Sequence, residues 1–327
     1  MKKRNLNYTS YLAPKYWLIW LLLGLGQFIA WLPLRVQQMI GVVLGRLAYL
    51  LMKRRRKIAE RNITLCFPLK SPLEQQQLVK NSFRSNGMGV IEALRSWYRD
   101  PETLRSTTDY RGHEHIKQAL AKGKGVILLG GHYSTLDLAG GLTTLFFEAD
   151  VLQRDHSNPL FNAFVTRSRL RLYQTVLDKF DLRGMLRCLK RNRIVWYATD
   201  QDYGHNNTVF APFFGQECAT LVSTMKIAKS SGAAVLPFSH FRNEQTGRYE
   251  IVVHEALENF PSDGFSGDRF SDSDLSDSGC PKSSLELDAE RLNMILVREI
   301  RKAPEQYLWM HRRFKTQRER GARTIYD

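Results

Sequence analysis

Cysteine is scarce and scattered: Cys66, Cys188, Cys218 and Cys280 are the four in 327 residues, and no two form a CxxC pair. That spacing argues against a zinc site and against a disulfide framework, and it fits a reducing cytosolic compartment. Acidic residues are also in short supply, Asp+Glu 32 against Lys+Arg 48, which leaves a formal charge of +16. The imbalance points to an anionic partner: nucleic acid, an anionic membrane, a phosphorylated substrate or an acidic protein. No recognisable nucleic-acid-binding motif accompanies the charge. There is no internal repeat. A hydrophobic content of 43% in a chain of this length describes a folded protein of one large domain or two small ones.

Long apolar runs are confined to the first 52 residues. From Tyr16 to Leu34 the chain is almost wholly apolar, just enough for the roughly 17–25 residues that cross a bilayer. Trp17, Trp20 and Trp31 suit an interfacial aromatic belt. A cleaved signal peptide has a shorter apolar core, about 7–15 residues, and a small-residue cleavage site; the segment therefore reads as a retained anchor. A second apolar stretch, Met39 to Met52, ends in Lys53-Arg54-Arg55-Arg56-Lys57. Five basic residues directly after an apolar helix suit an anionic cytoplasmic leaflet, against the plainer reading of a solvated or nucleic-acid-binding face. A single span, a re-entrant element and an in-plane helix all remain open. Residues 1–52 thus form the membrane-anchoring part and 53–327 the cytoplasmic body.

Within that body, Ser71-Pro72-Leu73-Glu74 is a capping box opening a helix to about Trp97. Strands are expected at 125–129, 149–153, 175–177, 194–199, 233–241 and 248–254. Helices are expected at 159–171, 181–191, 220–231 and 288–303. The alternation predicts an α/β sheet with helices on both faces. Residues 261–285, rich in Ser, Asp and Gly, lack the apolar surface to order themselves and read as a mobile insertion. Their Asp spacing lacks the terminal glutamate of an EF-hand loop.

The stretch Gly125-Val126-Ile127-Leu128-Leu129-Gly130-Gly131-His132-Tyr133-Ser134-Thr135-Leu136-Asp137 places a histidine where a buried strand becomes a helix. Open α/β sheets bind ligands at that position. The two glycines allow a sharp turn. Asp137, in the first or second helical turn, is placed to reach back to one imidazole nitrogen and leave the other as a base. Standing alone, a capping aspartate and a satisfied histidine are the plainer account of such a spacing. His113, His115, His156, His205, His240 and His254 have no ligand-like pairing and read as structural.

Taken together, several motifs resemble the late acyltransferases of lipid A biosynthesis, the lauroyl and myristoyl transferase group. They are Tyr16-Trp17-Leu18, Arg61-Asn62, Cys66-Phe67-Pro68, Gly87-Met88-Gly89, the His132/Asp137 pair, Asn158-Pro159-Leu160, Trp196-Tyr197-Ala198 with Asp200-Gln201-Asp202-Tyr203-Gly204, and Ala303 to Lys315. The resemblance covers nearly the whole chain outside 261–285. It implies a glycerolipid-acyltransferase-like α/β sheet flanked by helices, with an N-terminal membrane-anchoring helix, at the bacterial inner membrane with the catalytic part on the cytoplasmic side. The reaction it implies moves a fatty acyl chain from acyl carrier protein to a hydroxyl of a Kdo-bearing lipid A precursor. Inner-membrane lipids are further partners; nucleic acid, cofactor and metal are not.

The family's His-x4-Glu/Asp dyad falls on His132 and Asp137, where many members carry Glu. Its basic segment falls on Arg169 and Arg171, and its Asp-x-Asp-Tyr-Gly loop on Asp200, Asp202, Tyr203 and Gly204. His132 is then the general base and Asp137 its orienting group. Backbone N–H groups after Gly131, with Arg169 next, are candidates for the oxyanion. Arg169, Arg171, Asp200, Asp202, His311, Arg312 and Arg313 form the expected substrate-binding set. Asp202 is also an ordinary turn former, and His311, Arg312 and Arg313 also read as a surface patch. A thioesterase or lipid hydrolase using the same dyad is the rival activity. A basic membrane or nucleic-acid interaction protein is the rival of another class.

Overall fold

The computed structural model describes residues 8–262 and 283–326. Its centre is a seven-stranded sheet built from β1 (Thr108–Arg111), β2 (Val126–Gly130), β3 (Ala149–Gln153), β4 (Thr175–Asp178), β5 (Ile194–Ala198), β8 (Ala234–Arg242) and β9 (Tyr249–Val253). The order is β1-β9-β8-β2-β5-β3-β4, with β8–β9 the antiparallel pair and the other neighbours parallel. Alternation along β2 explains why both faces are covered. Ile127 and Leu129 join the cluster formed with α8 (Leu182–Lys190), α9 (Ser223–Ser231) and α10 (Ser284–Lys302). Val126 and Leu128 join the cluster formed with α5 (His113–Ala121) and α6 (Leu136–Thr143).

Beside this sheet lies an antiparallel hairpin of β6 (Thr208–Phe213) and β7 (Gln216–Leu221) that the sequence pattern did not reveal. Its turn residues Phe214 and Gly215 both have positive φ, 52° and 78°, as a two-residue hairpin turn requires. A phenylalanine there gives no turn signal. The helix expected from Thr220 begins after this strand, at Ser223. The helix expected from Asp288 starts earlier, through a Ser283/Glu286 capping box. The insertion expected at 261–285 lies largely outside the described residues.

The apolar run from Tyr16 to Leu34 is two elements. Pro33 lacks an N–H and disfavours helix in the residue before it, so α1 (Trp17–Trp31) ends there and α2 (Leu34–Leu51) begins. The basic run opens α3 (Lys53–Cys66), and all three pack against α4 (Pro72–Tyr98). Helices α2 and α4 cross closely enough for glycine to be required. A Cβ on Gly41 would lie 2.5 Å from the Met88 Cα, and one on Gly87 would strike the backbone of Gly41 and Gly45. Gly87→Ala is therefore expected to lose about 1–3 kcal/mol of stability through overpacking. Gly24→Ala, with nothing within 4 Å, is the control and gains up to about 1 kcal/mol of helix propensity. Urea unfolding in mild detergent reads both; equal stabilities would contradict the close crossing.

Candidate active site

Strand register places the centre of the site. Gly130 pairs with Ala198 across β2 and β5, so residues two beyond each strand end, His132 and Asp200, emerge side by side. Asp200 is buried; its Oδ1 lies 2.6 Å from His132 Nδ1, and its Oδ2 accepts the His132 backbone N–H at 2.8 Å. Both carboxylate oxygens are thus committed to one residue. The imidazole Nε2 makes no hydrogen bond to a described residue, and Trp196 meets the ring edge-on at 5.8 Å between centroids. Burial alone would disfavour the imidazolium, but the Asp200 charge and its hydrogen bond outweigh it and raise the His132 pKa above 6.5. In return the imidazole holds the Asp200 carboxyl below its usual range against the penalty of burial.

Asp137 does not make the expected contact to the ring. Its Oδ1 accepts from Arg169 Nη2 at 2.7 Å, and Arg169 Nη1 donates to Gln153 Oε1 at 3.2 Å. The reason is placement: Asp200 leaves the neighbouring strand in register with His132, whereas Asp137 stands on α6 facing the last turn of α7 (Pro159–Leu170). His132, Asp137 and Arg169 nevertheless share one cavity of about 250 Å³, walled by apolar residues including Leu128, Val151, Trp196 and Phe238. His156, which sequence gave no reason to single out, also lines it. Burial, then the nearby Arg169, lowers the His156 pKa.

The loop carrying His132 is clamped by residues 306–308 through three contacts. Ser134 N–H donates to Gln306 O at 2.7 Å, Leu308 N–H donates to His132 O at 3.0 Å, and Tyr133 bridges Tyr307. Behind it, Ser134 Oγ meets Ser85 Oγ at 2.8 Å, and Arg242 joins Ser85 to Glu92 inside the core. Thr135 Oγ1 lies 2.7 Å from His240 Nδ1. Burial, reinforced by His132, pulls the His240 pKa down to about 3, so that ring stays neutral. Gly130 and Gly131 do not supply positive φ. What Gly130 supplies is space: a Cβ would lie 2.5 Å from Trp196 Nε1.

Other expected ligand contacts prove to be internal ties. The backbone amides after Gly131 are engaged: His132 N–H by Asp200, Tyr133 N–H by Gly131 O and Ser134 N–H by Gln306 O. These three loop amides are therefore not available to an oxyanion, which leaves the amides at the start of α6 as the backbone candidates. Arg313 is buried and donates to Ala219 O, Thr220 Oγ1 and Asn293 Oδ1. Asp202 accepts from Thr316 N–H and Oγ1, both at 2.7 Å, and from Gly204 N–H. Arg171 donates to Ser96 O and Arg99 O, fastening α7 to the end of α4. Arg312 covers the Tyr326 ring at 5.6 Å. His311 stays near the His132/Asp200 pair, whose charges act on its titration after burial, and its pKa is lowered.

The profile of the bacterial lipid A biosynthesis acyltransferase family matches residues 6–316. The lipid A biosynthesis lauroyltransferase of Escherichia coli (strain K12) is 35% identical over 312 residues, 95% of each chain. The palmitoleoyltransferase of the same organism is 34% identical over 320 residues, 97% of each chain. Its myristoyltransferase is 25% identical over 328 residues, 97% of this chain and 94% of that one. With a strand-end imidazole beside an apolar cavity and a family match spanning almost the whole sequence, this chain belongs to the bacterial lipid A biosynthesis acyltransferases.

Proposed function

We propose that the protein carries out a secondary acylation, transferring a fatty acyl chain from acyl carrier protein to a hydroxyl of a Kdo-bearing lipid A precursor; its relatives are named as lipid A biosynthesis lauroyl- and palmitoleoyltransferases. The observation that carries this reading is His132, oriented through Nδ1 by Asp200, beside an apolar cavity that also holds Asp137 and Arg169. An alcohol is a poor nucleophile at neutral pH. Nε2 takes the hydroxyl proton as the oxygen attacks the thioester carbonyl. Collapse of the tetrahedral species expels the carrier thiolate, which recovers the proton from the imidazolium and leaves an ester and a free thiol. No acyl-enzyme forms, because the nucleophile belongs to the substrate.

Arg169 lines the cavity beside His132, and Asp137 holds its guanidinium. Its five donors suit an oxyanion or a substrate phosphate. In Arg169→Ala we expect kcat to fall about 100-fold, the scale of one lost oxyanion donor, with a smaller change in acceptor KM. A change in KM alone moves Arg169 to phosphate binding, and wild-type values for both remove it from the site. The sheet and flanking helices are read as glycerolipid-acyltransferase-like, and the catalytic body is assigned to the cytoplasmic face of the bacterial inner membrane. Incubating carrier thioester with and without lipid acceptor separates transfer from hydrolysis: thiol release independent of acceptor favours a thioesterase.

A further inference from the structure

We infer that α1 and α2 seat the protein in one leaflet of the bilayer and do not cross it. The inference deepens the membrane assignment just proposed and rests on it. Leu18, Leu21 and Leu25 on α1, and Val43, Leu47 and Leu50 on α2, are exposed large apolar side chains. Trp17 and Trp31 stand exposed at the two ends of α1, where interfacial tryptophans belong. Lys53–Lys57 follows the last apolar turn, and its charge complements anionic headgroups. That pairing of an apolar face with a basic end identifies the occupant as a lipid surface.

Length and attachment both oppose a crossing. Fifteen residues of α1 reach about 22 Å, short of a hydrocarbon core of about 30 Å. Helix α2 is long and apolar enough to cross a membrane, but it is held along its course. Gln37 Nε2 donates to Ala30 O and Leu32 O, closing the bend between the two helices. Gly41 and Gly45 lie against the α4 backbone, and Tyr49 packs on Phe83. At one end of the path, Tyr16 and Leu23 pack with Leu160 of α7. At the other, Asn62 Nδ2 donates to Trp309 O and His311 O, next to the catalytic loop.

Among the described residues, each of these helices is therefore tied to the body that carries the site. Arg35 and Arg46 on the exposed side of α2 agree with this. Arg46 would be costly inside the hydrocarbon of a spanning α2, and both are ordinary on an interfacial helix whose long cations reach headgroups.

The test uses the full chain with its native cysteines replaced by serine and single cysteines at Leu12, Pro33 and Met52, all exposed. In inverted and right-side-out sealed vesicles, a membrane-impermeant maleimide is expected to label all three positions from the same side. Reaction of any one from the opposite side overturns the inference. Lipids brominated at graded depths should quench a bimane at Val43 most strongly near the headgroup boundary, about 5–10 Å deep; maximal quenching at the bilayer centre also overturns it. Flotation with anionic vesicles tests the underlying assignment separately. Failure to float removes the membrane reading itself, whereas flotation with two-sided labelling removes the single-leaflet seat alone.

Discussion

Asp200→Asn is expected to lower kcat by about 10⁴-fold, the scale seen when the orienting carboxylate of a Ser-His-Asp site loses its charge. The geometry explains why a near-isosteric change is so costly. Asp200 accepts from the His132 backbone N–H with one oxygen and from the ring with the other. Asparagine offers one oxygen and one amino group. If the oxygen keeps the backbone bond, the amino group faces Nδ1 and drives the proton to Nε2, where the base must be empty. If the oxygen keeps the ring, two donors face each other at the backbone. The pH profile adds a signature that misfolding lacks. Only neutral His132 can accept a proton, so activity rises with pH through its raised pKa. Without the Asp200 charge, burial acts alone and the acid limb of kcat/KM moves to lower pH. An unmoved acid limb in Asp200→Asn would contradict the pairing.

In His132→Ala, kcat/KM for acyl transfer is expected to fall by about 10⁴, the upper end for loss of a general base and no less than for its orienting group, with the fold intact. His132 is half-buried and, among the described residues, its ring hydrogen-bonds Asp200 alone, so truncation leaves the clamps on Ser134 and Leu308 in place. The double variant His132→Ala/Asp200→Asn is expected to lose little more than His132→Ala, because an orienting group has nothing left to orient. Product analysis by mass spectrometry, with carrier thioester and lipid acceptor both present, reads ester formation directly. Near-wild-type turnover in His132→Ala would falsify the assignment of the base.

The alternating α/β pattern was legible because buried parallel strands are short apolar runs and their helices carry caps that can be read, such as Ser71/Glu74 and Asn158. The β6–β7 hairpin was not, since Phe214 occupies a left-handed position without the Asn-Gly chemistry that marks such turns. At the site, His132 stood out at its strand end, and Asp200 and Arg169 emerged from their motifs. Their partners did not. Spacing along one segment suggested Asp137 for the ring, whereas the pairing depends on the register of two strands 68 residues apart. The fate of Arg313 and Asp202 was hidden for the same reason: a charged residue in a loop reads as exposed until the elements that enclose it are known.

The clamp on the His132 loop has a consequence for how the enzyme comes into being. Gln306 and Leu308 finish a turn whose imidazole was laid down at residue 132, so in a nascent chain the proposed site stays incomplete until residues 304–314 leave the ribosome. Proteolytic nicking in that stretch would silence the molecule while leaving the central sheet standing.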